Sequence, residues 1–147
     1  MSTIAYAPNR VLDGLKTLSY AGNMLATRLA RERGFDEALL VTPHGRVLEA
    51  PTSSIFWVDS DGSVNTPPLS EHVLASITRQ RVMDVADVAE RPCTMDDLGS
   101  ATEAFLASTT REVQSAAVIE EREFPEPGER TGQAAAAFRA HVEESLR

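Results

Sequence analysis

The chain has 147 residues, of which 42% are hydrophobic, which is enough apolar material for one globular domain but short for two. Its 22 acidic residues outnumber 14 basic ones, and the net charge of −8 disfavours a nucleic-acid backbone or an anionic membrane as a partner. A single cysteine excludes an internal disulfide, and no stretch approaches the roughly 20 apolar residues of a membrane span. We therefore expect a cytoplasmic protein without nucleic-acid or membrane partners, and no metal site.

The first half of the chain predicts a strand, a helix and two hairpins. Residues 3–7 are typical of a short strand, and 8–15 of a loop that ends at Lys16. Apolar residues at helical spacing predict a helix over 21–33, which Gly34 ends in a left-handed conformation. Turn residues at 43–45 and 59–62 divide four apolar stretches into two hairpins, at 37–48 and 55–65.

The second half predicts two further strands and two helices. Helical spacing extends over 73–88, and 96–98 suggest a single helical turn. Strands are expected at 103–108 and 113–119, followed by a loop at 125–128 and a terminal amphipathic helix over 131–146. This order of elements predicts an α+β fold in which antiparallel sheet dominates the middle of the chain.

Lys16 is the only lysine in the sequence, since the other 13 basic residues are arginines. A lysine can lose its proton through burial or a neighbouring cation and then attack a carbonyl to form an imine, whereas an arginine stays protonated. The alternative is that Lys16 is a surface charge left by chance in an arginine-rich composition. Composition alone favours that alternative, but the residues that follow Lys16 favour a lysine that reacts with a carbonyl group.

Four polar clusters lie at predicted element ends: Lys16 to Tyr20, Glu49 to Ser54, Ser76 to Arg79, and Ser108 to Glu112. Any one of them is more often a cap, a turn or a solvated charge. In order, however, the runs LKTLSYAGNMLATRLARERGFDEALLV, VLEAPTSSIFWV, NTPPL, VLASITR and EAFLASTTREV resemble the class IV aminotransferases. This group of fold-type IV pyridoxal-phosphate enzymes includes branched-chain and D-amino-acid aminotransferases and aminodeoxychorismate lyase, and the resemblance covers about 14–118.

The resemblance implies a role for each cluster in binding pyridoxal 5'-phosphate. Lys16 takes the position of the Schiff-base lysine that also moves the substrate α-proton, and Glu49 that of the carboxylate beside the pyridine nitrogen. The other implied positions are Tyr20 near the 3-oxygen of the cofactor, Leu74 against its ring, Ile77, Thr78, Ser108 and Thr109 around its phosphate, and Thr110 at the substrate. The family fold implied is the large C-terminal domain, with antiparallel-rich sheet and packed helices, over 1–147.

The sequence also departs from the family pattern. Ser76 and Ala50 stand where glycines are usual, and Ser54 stands where an asparagine is usual. We expect the smaller N-terminal domain of the family, which supplies an arginine to the phosphate and residues that select the substrate, to be absent from this chain. Without that domain the chain should expose apolar surface, so we expect at least a homodimer that covers it. A separate chain that supplies the missing domain is the alternative.

Three functions remain open at this level. The first is transamination between an amino acid and a 2-keto acid. The second uses the same residues in a 4-amino-4-deoxychorismate lyase, and the third is a truncated, non-catalytic domain that binds cofactor or forms dimer contacts. The run Ser108 to Val113 resembles the transaminases more closely, and Lys16, Glu49, Thr78 and Thr109 together argue against loss of the chemistry.

Overall fold

The structure is a computed structural model that describes residues 1–7, 14–125 and 127–147. The strands are β1 (Ser2–Ala5), β2 (Ala38–Val41), β3 (Arg46–Val47), β4 (Ser54–Val58), β5 (Val64–Thr66), β6 (Val88–Glu90), β7 (Cys93–Thr94), β8 (Glu103–Ser108), β9 (Glu112–Ser115), β10 (Val118–Ile119) and β11 (Arg122–Glu123). The helices are α1 (Ala21–Glu32), α2 (Ile77–Val85), α3 (Met95–Ser100) and α4 (Glu129–Ser145).

Two sheets form the framework. One has the strand order β1-β2-β3-β7 and the other β6-β5-β4-β8-β9, while β10 and β11 form a separate hairpin. The β1–β2 and β5–β6 pairs are parallel, and the other described pairs are antiparallel. The predicted α+β fold with mainly antiparallel sheet is therefore confirmed.

Strands β4 and β8 lie at the centre of the core and are buried on both faces. Because side chains alternate along a strand, Ile55 and Trp57 of β4 enter one apolar cluster, and Phe56 and Val58 enter another on the opposite face. The rings of Phe56 and Phe105 stack across the β4–β8 pair with their centroids 4.8 Å apart. Helices α2 and α4 cover the second cluster, so the sheet is a middle layer.

The predicted helix and hairpins of the first half of the chain are confirmed, and the predicted strand over 3–7 forms as β1 but ends at Ala5. Helix α1 ends at Glu32, and Gly34 has a φ of +85°, the conformation expected of a glycine that terminates a helix. Both predicted hairpins form, as the antiparallel pairs β2–β3 and β4–β5. The predicted loop before Lys16 lies largely outside the described residues.

The predicted helix over 73–88 is wrong at both ends. Ser76 is the extended N-cap residue of α2, and its hydroxyl accepts a hydrogen bond from the Arg79 amide at 3.3 Å, so the helix starts only at Ile77. Val73 instead packs in an apolar cluster with residues of α1 and β2. At the other end Val88 pairs with Val64 in a parallel ladder. Tertiary packing overrides the helical spacing of these two valines.

The predicted strand over 113–119 is also wrong, because it is two strands. Strand β9 pairs with β8 in antiparallel fashion, and the last backbone bond between them runs from the Ala116 amide to the Ala104 carbonyl. Ala104 lies at the start of β8, so no further β8 residues are available for pairing. The chain then turns away and forms the β10–β11 hairpin, in which Glu120 has a φ of +50°.

Helix α4 is joined to the central sheet through a buried carboxylate. The Glu103 side chain of β8 accepts hydrogen bonds from the Arg130 amide at 3.0 Å, the Thr131 amide at 2.8 Å and the Thr131 hydroxyl at 2.7 Å. These amides belong to the first turn of α4, where the helix leaves its N–H groups unpaired and favours negative charge. Glu103 therefore acts as a capping residue supplied by another element.

Among the helices in the described part of the chain, none is both long enough and apolar enough to cross a lipid bilayer.

Candidate functional site

A cavity of about 160 Å³ lies beside the start of α1. Its lining includes Lys16 and Tyr20, Glu49 with the turn that follows it, and Leu74 with Ser76. A cavity of about 150 Å³ can admit a benzene-sized ring. The structure thus brings four of the predicted site residues (Lys16, Tyr20, Glu49 and Leu74) around a space with room for an aromatic ligand.

Lys16 and Tyr20 form the amine side of the cavity. The Lys16 Nζ donates a hydrogen bond to the Tyr20 phenol oxygen at 3.1 Å and lies 5.6 Å from the centroid of the tyrosine ring. Tyr20 is fixed as the N-cap residue of α1, since its carbonyl accepts from the Met24 amide at 2.9 Å. Lys16 is exposed rather than buried. The accessible amine can reach a ligand in the cavity.

Glu49 supplies the carboxylate side. Its two oxygens each accept a hydrogen bond from the Leu74 amide at 3.2 Å. Burial raises the pKa of Glu49 to about 7, and the Leu74 bond and the charges of Arg79 and Lys16 limit this rise. A carboxyl group with such a pKa can hold or release a proton near neutrality. As the carboxylate it can pair with a protonated ring nitrogen of a ligand.

The predicted phosphate residues form a second group. Thr78, in the first turn of α2, and Thr109, in the turn after β8, have their hydroxyl oxygens 3.5 Å apart. Ile77, which is 80% exposed, begins α2, and a helix leaves the first amides of its N-terminal turn without intrahelical partners, which favours an anion there. Two hydroxyls and a helix N-terminus are suited to a phosphate group.

The remaining predicted residues lie in the same turn. The buried Ser108 ends β8, and its hydroxyl accepts a hydrogen bond from the Arg111 amide at 3.3 Å. Thr110 is exposed at the tip of the turn. Ile77, Thr78, Ser108, Thr109 and Thr110 do not line the cavity that Lys16 lines. Ser76 connects the two groups, since it lines the cavity and caps α2.

The sequence patterns do not single out two arginines that lie near these groups. Arg79 is only 3% exposed, donates to the Pro67 carbonyl at 2.9 Å and forms an ion pair with Glu90 at 2.5 Å. Arg111 forms an ion pair with Glu37, also at 2.5 Å. Both arginines lie inside the runs VLASITR and EAFLASTTREV, but no local pattern indicates their distant partners.

The donor set matches one kind of ligand. An accessible primary amine suits a carbonyl, a phenol suits an oxygen substituent, and a partly buried carboxylate suits a basic ring nitrogen. The hydroxyl pair at the start of α2 adds a site for an anion. Together these groups can hold an aromatic aldehyde that carries a ring nitrogen and a phosphate.

Comparison with known proteins agrees with this chemistry. The family model for amino-transferase class IV matches residues 2–119. This chain belongs to the class IV aminotransferase family.

Individual relatives differ in how they are named. A protein of Methanocaldococcus jannaschii, provisionally named branched-chain-amino-acid aminotransferase, is 36% identical over 104 residues, which are 67% of this chain and 36% of that protein. The structure of a branched-chain amino acid aminotransferase from Thermobaculum terrenum, titled as its pyridoxal-phosphate holo form, has a TM-score of 0.87 and 30% identity, and covers 96% of this chain and 50% of that one.

A third comparison concerns the lyase alternative. A Legionella pneumophila structure, provisionally titled 4-amino-4-deoxychorismate lyase, has a TM-score of 0.88 at 20% identity and covers 95% of this chain and 54% of that one. At this identity the likeness shows the fold alone. The chain spans between about a third and about half of the lengths of these three proteins. Its fold is that of the fold-type IV aminotransferases, as the sequence resemblance predicts.

Proposed function

We propose that this chain binds pyridoxal 5'-phosphate and takes part in transamination between an amino acid and a 2-keto acid. The observation that carries the proposal is the cavity in which the only lysine of the sequence lies with Tyr20 and Glu49. A structural lysine on a solvated face needs neither a phenol at 3.1 Å nor a carboxyl group with a raised pKa in the same cavity.

When bound, pyridoxal phosphate supplies an aldehyde that condenses with primary amines and a conjugated pyridine ring that accepts electrons. Lys16 Nζ would hold the group at its aldehyde carbon, with water as the leaving group, and would act as the base for the α-proton of the amino acid. Tyr20 orients this amine through the bond at 3.1 Å. Glu49 would hold a proton on the ring nitrogen, and Leu74, whose amide donates to both Glu49 oxygens, would lie against the ring.

The phosphate is bound at the start of α2 in this proposal. The Thr78 and Thr109 hydroxyls would donate to it, together with the amide of Ile77, and the positive end of the helix dipole would favour its charge. Ser108 supports the turn that carries Thr109, and Thr110 faces the substrate.

The known proteins above favour the transaminase over the lyase. The Methanocaldococcus jannaschii relative, at 36% identity, carries an aminotransferase name, whereas the lyase-titled structure shares only the fold. Both reactions use the same amine, so product analysis separates them: formation of a 2-keto acid from an amino acid supports transamination, and release of 4-aminobenzoate and pyruvate from 4-amino-4-deoxychorismate supports the lyase.

Lys16 is expected to be the point of attachment of the cofactor, because the sequence contains no other side-chain amine. The purified chain should turn yellow with pyridoxal phosphate, and borohydride reduction followed by peptide mass mapping should find the added mass on the peptide that contains Lys16. Lys16→Arg keeps the positive charge but cannot form the bond, so it is the matched control. Added mass on the N-terminal amine alone, or on no peptide, would contradict the proposed function.

We further propose that residues 1–147 are the cofactor-binding large domain and that this domain self-associates. Leu18, Met24 and Leu25 expose 103%, 70% and 49% of their surface. Met24 and Leu25 also line a groove along α1 with Pro51. Exposed apolar surface of this kind generally marks an interface. A separate chain that supplies a smaller domain is the alternative occupant.

Sedimentation is expected to show at least a homodimer at micromolar concentration. Met24→Arg places a charge in the proposed interface and should shift the equilibrium towards monomer, whereas Gln133→Arg, at an exposed position of α4 outside that groove, should not. A clean monomer for the unmodified chain would contradict self-association and favour a partner chain.

A further inference from the structure

The turn that carries Thr109 is a short hairpin connection. Ser108 and Glu112 form the last pair of the β8–β9 ladder, so only residues 109–111 connect the strands. Glu112 has a φ of +55°, as is common where a three-residue hairpin loop rejoins its strand. Thr109 and Thr110 are exposed. A threonine in such a turn has several orientations available unless another element fixes the turn.

Arg111 supplies a contact to another element. Its Nη2 donates to Glu37 Oε2 at 2.5 Å, across 74 residues of sequence. Glu37 directly precedes β2 and is only 5% exposed. Its other oxygen accepts from the Ala38 amide at 3.1 Å and from the Thr27 hydroxyl of α1 at 3.3 Å.

The ion pair therefore connects the turn to the start of β2 and, through Glu37, to α1. Because Glu37 is buried and held by two further hydrogen bonds, its carboxylate is a fixed anchor for the guanidinium. Helix α1, which carries Thr27, begins at the residue after Tyr20. One contact thus ties the turn that holds Thr109 to the helix that follows the lysine.

We propose that Arg111 is a positioning residue, whose ion pair with Glu37 holds Thr109 at the start of α2 so that Thr78 and Thr109 bind the phosphate together. This inference rests on the proposed function, because it takes the anion at α2 to be the phosphate of the cofactor. Fixing a binding group before the ligand arrives raises affinity by lowering the ordering cost of binding. The effect of Arg111 should therefore be confined to ligands that carry the phosphate.

The test compares pyridoxal phosphate with pyridoxal, which lacks the phosphate. Both are titrated into the full chain by absorbance and equilibrium dialysis, for the unmodified protein and for Arg111→Met. We expect Arg111→Met to weaken pyridoxal phosphate binding about tenfold and pyridoxal binding less than about twofold. The control is Arg139→Met, which removes the exposed ion pair with Glu112 at 2.8 Å, one residue from Arg111, and should change neither affinity.

A second variant tests the inference in case Arg111→Met does not fold. Arg111→Met leaves the buried Glu37 carboxylate unpaired, which is destabilising, whereas the double variant Glu37→Gln with Arg111→Met removes both charges. The double variant should remain folded by circular dichroism and show the same selective loss for pyridoxal phosphate.

The outcomes separate the inference from the proposed function. If the unmodified chain does not prefer pyridoxal phosphate to pyridoxal, the phosphate site of the proposed function is wrong and the inference is overturned with it. If that preference exists but the Arg111 variants keep it, the inference alone is overturned. Equal weakening for both ligands would also overturn it, because it would show a general structural role.

Discussion

Replacing Gly128 by alanine is expected to lower the free energy of unfolding by about 3 kcal/mol. A Cβ at this position would lie 2.0 Å from Cδ and 2.2 Å from Oε2 of Glu103. The φ of −70° at Gly128 suits any residue, so the effect comes from the contact and not from the backbone. Glu103 would have to move and give up its bonds to the first turn of α4, which would leave a buried carboxylate poorly paired.

Urea denaturation at neutral pH measures this effect, with Gly132→Ala as the control in the same helix. A Cβ at Gly132 meets nothing within 4 Å, so that change should stabilise the chain by about 0.5–1 kcal/mol through helix propensity. In the background of Glu103→Ala, which removes the clashing atoms, the penalty of Gly128→Ala should shrink. An equal penalty in both backgrounds would mean that the Glu103 contact is not its cause.

The elements that the sequence predicts well are those whose signals are local. Gly34 ends α1 where a left-handed residue is needed, and the turn residues before Arg46 and Val64 locate both hairpins. The errors arise where tertiary contacts decide. Val73 and Val88 fit a helical pattern, yet one packs against α1 and the other joins the edge of a sheet.

For the candidate site, sequence resemblance selects residues that the fold brings near each other. Lys16, Tyr20, Glu49 and Leu74 share one cavity, and Thr78 lies within 3.5 Å of Thr109. Their roles in binding and catalysis stay predictions.

The sequence does not predict the distant side chains that hold these elements in place. The Arg111–Glu37 pair spans 74 residues and the Glu103 cap on Thr131 spans 28, and no periodicity or spacing predicts such partners. A buried arginine or glutamate has the same sequence signature as an exposed one. Burial, which only the fold defines, makes these charges important.

Glu49→Gln is expected to have opposite effects on stability and on function. The pKa of Glu49 is about 7 in the folded chain against an ordinary value of 4.5, because burial disfavours the charged form. Between these two values the folded state binds more protons than the unfolded state, so stability is full below about pH 4.5 and declines as the pH rises through 7. At about 1.4 kcal/mol per pKa unit, the decline is roughly 3 kcal/mol by pH 8.

Glutamine carries no charge at any pH and can still accept from the Leu74 amide. We therefore compare the free energy of unfolding of Glu49→Gln with that of the unmodified chain, both without cofactor. From pH 4 to pH 8 this difference should change by about 3 kcal/mol in favour of the variant. Urea denaturation across this range measures the difference, and Glu32→Gln, on the exposed face of α1, should leave the pH profile unchanged. Parallel profiles for Glu49→Gln and the unmodified chain would show that Glu49 is not the group that titrates.

The cost of Glu49→Gln should appear when cofactor is bound. A neutral amide does not hold the proton on the pyridine nitrogen, so the half-reaction with an amino acid should slow by about 10²- to 10³-fold, as is typical for loss of one electrostatic contact in an active site. Stopped-flow absorbance on cofactor-loaded protein measures this rate, and borohydride mapping should still find the cofactor on Lys16. A stabilised variant that reacts slowly while attachment is intact is the result expected of a carboxylate kept for function at the expense of stability. An unchanged rate would remove Glu49 from the proposed chemistry and leave Lys16 unaffected.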